Sequence, residues 1–189
     1  MSVIELILCI IWISFFVYWF ISAWKNQSPF KRRQSRGSLL SYMVVLIVIW
    51  VLFARLVSPT LMFERILPDT AFFVLTGLLV TCAGLGFAVQ ARVHLGKFWS
   101  GRPSIRIDHK IIRTGPYRVV RHPIYTGLLL GMTGTAIALG YFWAICTIFL
   151  LLVVFIMKIR LEEKFLEEEF GEEYVSYKHE VKALIPFLI

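Results

Sequence analysis

IYTGLLLGMTGTAIALGYFWAICTIFLLLVVFIM, residues 124–157, runs through 34 positions without a charged side chain. Gly140 stands in its middle and suits a tight turn. The stretch is therefore predicted as a helical hairpin of two short membrane spans, Ile124–Leu139 and Tyr141–Met157. Gly127 and Gly131 form a small-xxx-small pair, with Gly134 and Thr135 close by, a spacing that permits close helix packing.

Three longer apolar segments precede it. Val3–Trp24 is interrupted only by Glu5, Ser14 and Ser22, and as a helix it would be about 30 Å long, enough to span. It has no basic leading region and no small-residue cleavage site, so it reads as an anchor and not a signal peptide. Leu39–Val57 and Ala71–Ala91 are the second and third spans. The 189 residues are 58% hydrophobic, against about 45–50% in soluble domains, which makes lipid the main solvent. The expected fold is all-α, with five transmembrane helices, a cytosolic loop and a C-terminal cytosolic helix. Residues 1–57 form the first two helices and a basic loop; residues 58–189 form the core that carries the chemistry.

The net charge is +8. The basic residues flank apolar runs, so they set topology and meet anionic headgroups; the basic face of a nucleic-acid-binding fold is missing. Five spans place Lys25–Arg36, Arg92–Arg121 and the tail after Met157 on one side. Those segments hold 18 of the 20 basic residues, leaving Arg55 and Arg65 for the other side. The positive-inside rule makes the richer side cytosolic, with the N-terminus outside and the C-terminus inside. The membrane would be the plasma or inner membrane in a prokaryote and the endoplasmic reticulum in a eukaryote. Cys9, Cys82 and Cys146 each sit in an apolar run without metal-ligand spacing and read as small buried residues.

Nearly all polar material is then cytosolic. Residues 95–127 read LGKFWSGRPSIRIDHKIIRTGPYRVVRHPIYTG. Gly115-Pro116 marks a turn and Pro123 suits the first turn of the fourth span. Arg121-His122 would sit at that helix's N-terminus, where free backbone N–H groups favour an anion; a snorkelling Arg beside an interfacial His is the plainer reading. Beyond the fifth span, a continued helix puts Lys158, Glu162, Leu166 and Phe170 on one stripe. Glu162 is thus an acid carried on an apolar stripe, a functional candidate, with a structural Lys158–Glu162 pair as its rival. Glu167–Glu169, Glu172 and Glu173 fall mostly on other faces and read as solvated surface. Gly171 is expected to end the helix, a shorter segment follows through Tyr174 and Tyr177, and the Leu184–Ile189 tail is apolar enough to rest on the membrane.

These residues, in this order, resemble the isoprenylcysteine carboxyl methyltransferase family of integral membrane enzymes. The resemblance is carried by Gly115-Pro-Tyr117, Arg121-His-Pro-Ile-Tyr125-Thr-Gly127, Glu162-Glu163 and Phe170-Gly-Glu-Glu-Tyr174-Val-Ser-Tyr177, with Leu95-Gly96, Trp99-Ser100 and His109-Lys110 upstream. It covers about Leu95 to Pro186; the first two spans share only hydropathy. It implies S-adenosylmethionine as cofactor, held in a cytosolic pocket by Ile111, Ile112, Gly115, Tyr117, His122, Pro123, Tyr125, Glu162 and Glu163. The Rossmann GxGxxG pattern is absent, and Gly84-Leu-Gly86 reads as helix packing.

The substrate implied is the carboxylate of an isoprenylcysteine or similar lipophilic acid. Its α-carboxyl group, with a pKa of about 3.5, is already ionised and needs no base. Desolvation and in-line alignment with the methyl group remain to be supplied. The family commonly has Arg at the position of Lys158, and this chain departs there, offering a point charge instead of a planar fork. Lys158 and Glu162 are the candidate catalytic residues; Trp99, Arg121 and Arg160 are candidate substrate contacts, and no metal is implied. A phospholipid or lipid-amine N-methyltransferase would look similar, with His122 or Glu162 as the base its protonated amine requires. A non-enzymatic membrane subunit or transporter is the reading from another class, opposed by the scarcity of charge within the spans. The partners expected are a lipophilic or prenylated substrate and membrane lipids, with no nucleic acid; the sequence carries no signal for oligomeric state.

Overall fold

The structure, a computed structural model, describes residues 2–25, 30–33, 60, 63–99, 104–106 and 110–186. The second predicted span, Leu39–Val57, lies outside the described residues, as do Ser100 and His109. The chain is helical throughout its described core. In order come α1 (Val3–Lys25), a short strand β1 (Phe30–Arg33), α2 (Ala71–Leu95), a strand β2 (Ser104–Arg106), α3 (Pro123–Leu139), α4 (Phe142–Phe170) and α5 (Glu172–Glu180). Antiparallel pairing of β1 with β2 is an addition to the all-α expectation, since each run is too short to announce itself by alternation.

α1, α2 and α4 are long and apolar enough to cross a membrane. α3, at 17 residues, is the shorter apolar helix of the hairpin. Gly140 turns the hairpin with a left-handed backbone at φ 70°. The Gly140 carbonyl accepts from the Ile66 amide at 2.7 Å, so the segment before α2 pairs with this turn.

α3 packs far more extensively on α2 than on its hairpin partner α4. Gly77, Gly84, Gly127 and Gly134 face one another across the α2–α3 seam. A methyl on Gly84 would lie 2.7 Å from the Gly127 carbonyl oxygen, so the backbones are in direct contact. In lipid no hydrophobic force distinguishes a neighbouring helix from a lipid tail, and close van der Waals contact between small residues provides the attraction. Thr81, fully buried in this seam, donates to the Gly77 carbonyl at 2.8 Å and so keeps its hydroxyl satisfied. Gly86, the other glycine of Gly84-Leu-Gly86, faces open space. α1 joins through Trp12, whose indole N–H donates to Thr135 at 3.0 Å.

Cys9 and Cys82 are exposed and Cys146 is half-buried, which corrects the expectation of three buried cysteines. A small apolar side chain suits lipid as well as a core. Of the Leu184–Ile189 tail, expected to rest on the membrane, residues 187–189 lie outside the described residues and Ile185 is exposed, while the first residue packs on protein. Leu184 is buried against protein at 2% exposure, and its carbonyl accepts from Thr126 Oγ1 at 2.7 Å.

Candidate functional site

Where α2, α3 and α4 reach their polar ends, the chain encloses a cavity of about 390 Å³. Part of the lining is polar: Lys158 and Glu162 enter from α4, His122 and Tyr125 from α3, and Lys110 from the loop. The rest is largely apolar, with Phe15, Phe16 and Trp19 of α1 and Leu128 of α3 among it. Of the sequence-predicted residues, Ile111, Ile112, Tyr117 and Pro123 also line it, as do Trp99 and Arg121. Gly115 and Glu163 stand just behind the wall, and Arg160 is exposed on α4, away from the cavity.

Glu162 is held in place by α3. Tyr125 donates its hydroxyl to Glu162 Oε1 at 2.6 Å, and His122 Nδ1 lies 3.7 Å from Glu162 Oε2. Lys158 forms no ion pair with Glu162; its ammonium sits 5.3 Å from the centre of the Tyr125 ring. Tyr125 is itself sandwiched, with His122 at 5.7 Å and Phe155 at 4.7 Å between ring centres. Thus an acid and a cation one helical turn apart are kept separate, each engaged with the same tyrosine. This arrangement disfavours the simple i,i+4 pair that the sequence allowed.

The adjacent Glu163 turns the other way. It accepts from Arg121 Nη2 at 2.7 Å and from Arg121 Nε at 2.9 Å. Because an ionised carboxylate only accepts, His122 Nε2 donates to it at 3.3 Å. That bond leaves Nδ1 as the ring nitrogen on the Glu162 side. Lys178 of α5 reaches Glu163 Oε2 at 3.1 Å and Glu167 Oε1 at 2.5 Å. Glu167 is therefore half of an ion pair and not the free solvated charge that its run suggested.

At the start of α3 the Arg121 and His122 amides donate to the Lys182 and Ala183 carbonyls at 2.8 and 2.9 Å, so these two amides are not open to an anion, the less plain of the two readings the sequence allowed. Arg121 Nη1 caps the Lys178 and Val181 carbonyls. The C-terminal segment thus satisfies helix-terminal groups that every helix leaves unpaired, a long-range pairing that local sequence does not announce.

The loop wall is fixed by a second set of contacts. Gly115 adopts φ +58°, and a Cβ there would meet the His94 ring at 2.7 Å. His94 Nε2 lies 2.8 Å from Thr114 Oγ1. Tyr177 donates to the Tyr117 carbonyl at 2.5 Å. Burial pushes the Tyr177 phenol up to about 12, against the pull of Arg121 and Arg113. Burial, with the Glu162 charge adding to it, raises the Tyr117 phenol well above its ordinary value. Both rings therefore stay protonated donors at neutral pH. His94 and Arg92 were not singled out as site residues from sequence; Thr114 lies 20 positions from His94 and the Ser22 carbonyl that Arg92 binds lies 70 positions away, so no local spacing marks them.

Comparison with known proteins agrees with this architecture. The family model described as phospholipid methyltransferase matches residues 72–173. The protein-S-isoprenylcysteine O-methyltransferase of Saccharomyces cerevisiae is 40% identical over 82 residues, covering 43% of this chain and 34% of that protein. A probable protein-S-isoprenylcysteine O-methyltransferase of Oryza sativa subsp. indica is 34% identical over 118 residues, covering 61% of this chain and 56% of that protein. This chain thus spans between a third and just over half the length of these curated relatives. Among solved structures, the eukaryotic intramembrane Ras methyltransferase, an isoprenylcysteine carboxyl methyltransferase, aligns with a TM-score of 0.54 at 26% identity, covering 62% of this chain and 43% of that one.

Proposed function

The chain belongs to the phospholipid methyltransferase family, and from that premise we propose that it is an S-adenosylmethionine-dependent methyltransferase that O-methylates the carboxylate of an isoprenylcysteine or similar lipophilic acid. One observation carries the reading: a single cavity is lined both by polar Glu162, His122 and Lys158 and by apolar Phe15, Phe16 and Trp19. An acceptor with an ionised head and an apolar tail matches that mixed lining.

The polar part of the lining suits S-adenosylmethionine. Glu162 provides the acid for its ammonium or ribose hydroxyls, the Tyr117 and Tyr125 rings provide faces for a cation, and the backbone at Ile111 and Ile112 provides groups for adenine. Pro123 lines the cavity where α3 starts, while Gly115 and Glu163 act one step back, shaping the loop and holding His122. When bound, the cofactor supplies a methyl group activated by its sulfonium. Lys158 then holds the acceptor carboxylate as a point charge, and no residue needs to remove a proton, because the acceptor is already an anion. The aromatic walls exclude water, which frees the carboxylate from its hydration shell.

The same reading places five spans in the membrane, with the N-terminus outside, the C-terminus cytosolic and the cavity at the cytosolic boundary. The family match lies within residues 58–189, which supports treating that part as the methyltransferase core and residues 1–57 as an added helix pair. The test is methyl transfer from labelled S-adenosylmethionine, by purified protein in lipid, to N-acetyl-S-farnesylcysteine and to phosphatidylethanolamine in parallel. A base-labile product on the thioether acid is the expected result. A base-stable product on the lipid would instead establish N-methylation, with His122 or Glu162 as base, and transfer to neither would overturn both.

A further inference from the structure

Arg92, near the end of α2, is a charged residue that the chemistry above does not use, yet it is buried to 3% exposure. Its two terminal nitrogens bind backbone. Nη1 donates to the Gly96 carbonyl at 3.1 Å and Nη2 to the Ser22 carbonyl of α1 at 3.0 Å. The guanidinium plane is thereby fixed, and its carbon stands 4.1 Å from the centre of the Trp99 ring. A desolvated guanidinium on an indole face is the strong form of the cation–π contact.

Trp99 is the place where such a hold has consequences. It packs against the cluster of Ala91, Tyr117 and Ile124. It also meets Trp19 of α1 edge-on at 5.4 Å between ring centres, and Trp19 continues to Phe15 at 5.2 Å. Trp99 therefore links that cluster to the α1 aromatic rings, and all of these rings line the cavity. We propose that Arg92 is a positioning residue that pins Trp99 between the Tyr117–Ile124 cluster and the α1 aromatics, and so determines how well the acceptor's apolar group is received. The proposal rests on the acceptor site assigned above.

The experiment uses full-length protein in lipid, with N-acetyl-S-farnesylcysteine as probe and 5-fluorotryptophan at the six tryptophan positions. The Trp99 resonance is identified by its loss in Trp99→Leu. In Arg92→Met the acceptor KM is expected to rise about tenfold while the S-adenosylmethionine KM stays within about twofold, and the Trp99 resonance is expected to move or broaden. In the Trp99→Leu background the same Arg92 change is expected to add nothing to the acceptor KM, because the ring through which it acts is gone. A purely structural tether between α1 and α2 would leave the Arg92→Met effect intact in that background, and this outcome overturns the proposal. An unchanged Trp99 resonance in Arg92→Met overturns it equally. Should Arg92→Met not fold, Arg92→Gln keeps a donor for the two carbonyls and removes the cation, and the same readouts apply. The resonance needs no turnover, so failure of the wild type to methylate the probe would sink the proposed function, while the spectrum still decides the role of Arg92.

Discussion

Nε and Nη2 of Arg121 converge on a single oxygen of Glu163, Oε1, at 2.9 and 2.7 Å, although the two residues are 42 positions apart. Their side chains are 9% and 10% exposed. The pair joins the start of α3 to the polar extension of α4, and through Lys178 and the Val181 carbonyl it also gathers in α5 and the C-terminal segment. Removing one partner of a buried pair leaves the other uncompensated, a loss of about 3 kcal/mol. Glu163→Gln is therefore expected to lower thermal stability in detergent by that order, and an Arg121→Met/Glu163→Met double variant by less than the sum of the singles. A shift no larger than that of the exposed control Glu168→Gln would show that the pair does not hold the C-terminal segment.

Glu162 and Glu163 are neighbours with opposite duties, since Glu162 lines the cavity and Glu163 does not. Glu162→Gln is expected to weaken S-adenosylmethionine binding about tenfold, the loss of a charge-assisted contact. Glu168→Gln, on an exposed face of α4, is expected to bind normally. Titration calorimetry on the two variants decides the matter; equal and small effects would mean that Glu162 does not face the cofactor.

The α2–α3 seam offers a paired comparison. A methyl on Gly84 would come within 2.7 Å of the Gly127 carbonyl, while one on Gly86 meets nothing within 4 Å. Gly84→Ala is expected to cost about 1–3 kcal/mol through overpacking. Gly86→Ala is expected to be neutral or slightly stabilising, because alanine has less backbone freedom to lose than glycine on entering a helix. Melting temperatures of the two variants, which differ by two positions, check this; similar values would show that the helices do not touch along that face.

Lys178 supplies a pH dependence. Its hydrogen bond to Glu167, with the nearby Glu163 charge assisting against burial, raises its pKa. A lysine with a raised folded pKa contributes stability that is fully present below the unfolded value of about 10.4 and is lost as pH rises through the folded value. The difference in melting temperature between wild type and Lys178→Met is thus expected to be constant near neutrality and to shrink only in strongly alkaline solution. A difference that vanished at mildly basic pH would show that the lysine is not held by its two acids.

Hydropathy made the apolar segments legible, because a lipid-facing helix repeats its chemistry over every turn: the observed starts of α1 and α2 coincide with the predicted ones at Val3 and Ala71. The glycine spacing in residues 127–134 pointed to a close helix contact, but not to its partner; only the packed structure selects α2 over α4. Likewise Glu162 was visible as an acid on an apolar stripe, whereas its partner Tyr125 was visible only as part of a motif.

By itself, the sequence determined the helical character, the apolar segments and the polar motif residues that gather around the cavity, since each of these follows from local composition and a helical period. The tertiary structure decided what those residues do to one another. It sent Glu163 to Arg121 and Glu162 to Tyr125, closed the start of α3 with the Lys182 and Ala183 carbonyls, and brought Arg92 under Trp99. The physical reason is that a buried polar group must find a partner, and when the nearest unpaired partner in space lies dozens of residues away, only the folded chain brings the two together.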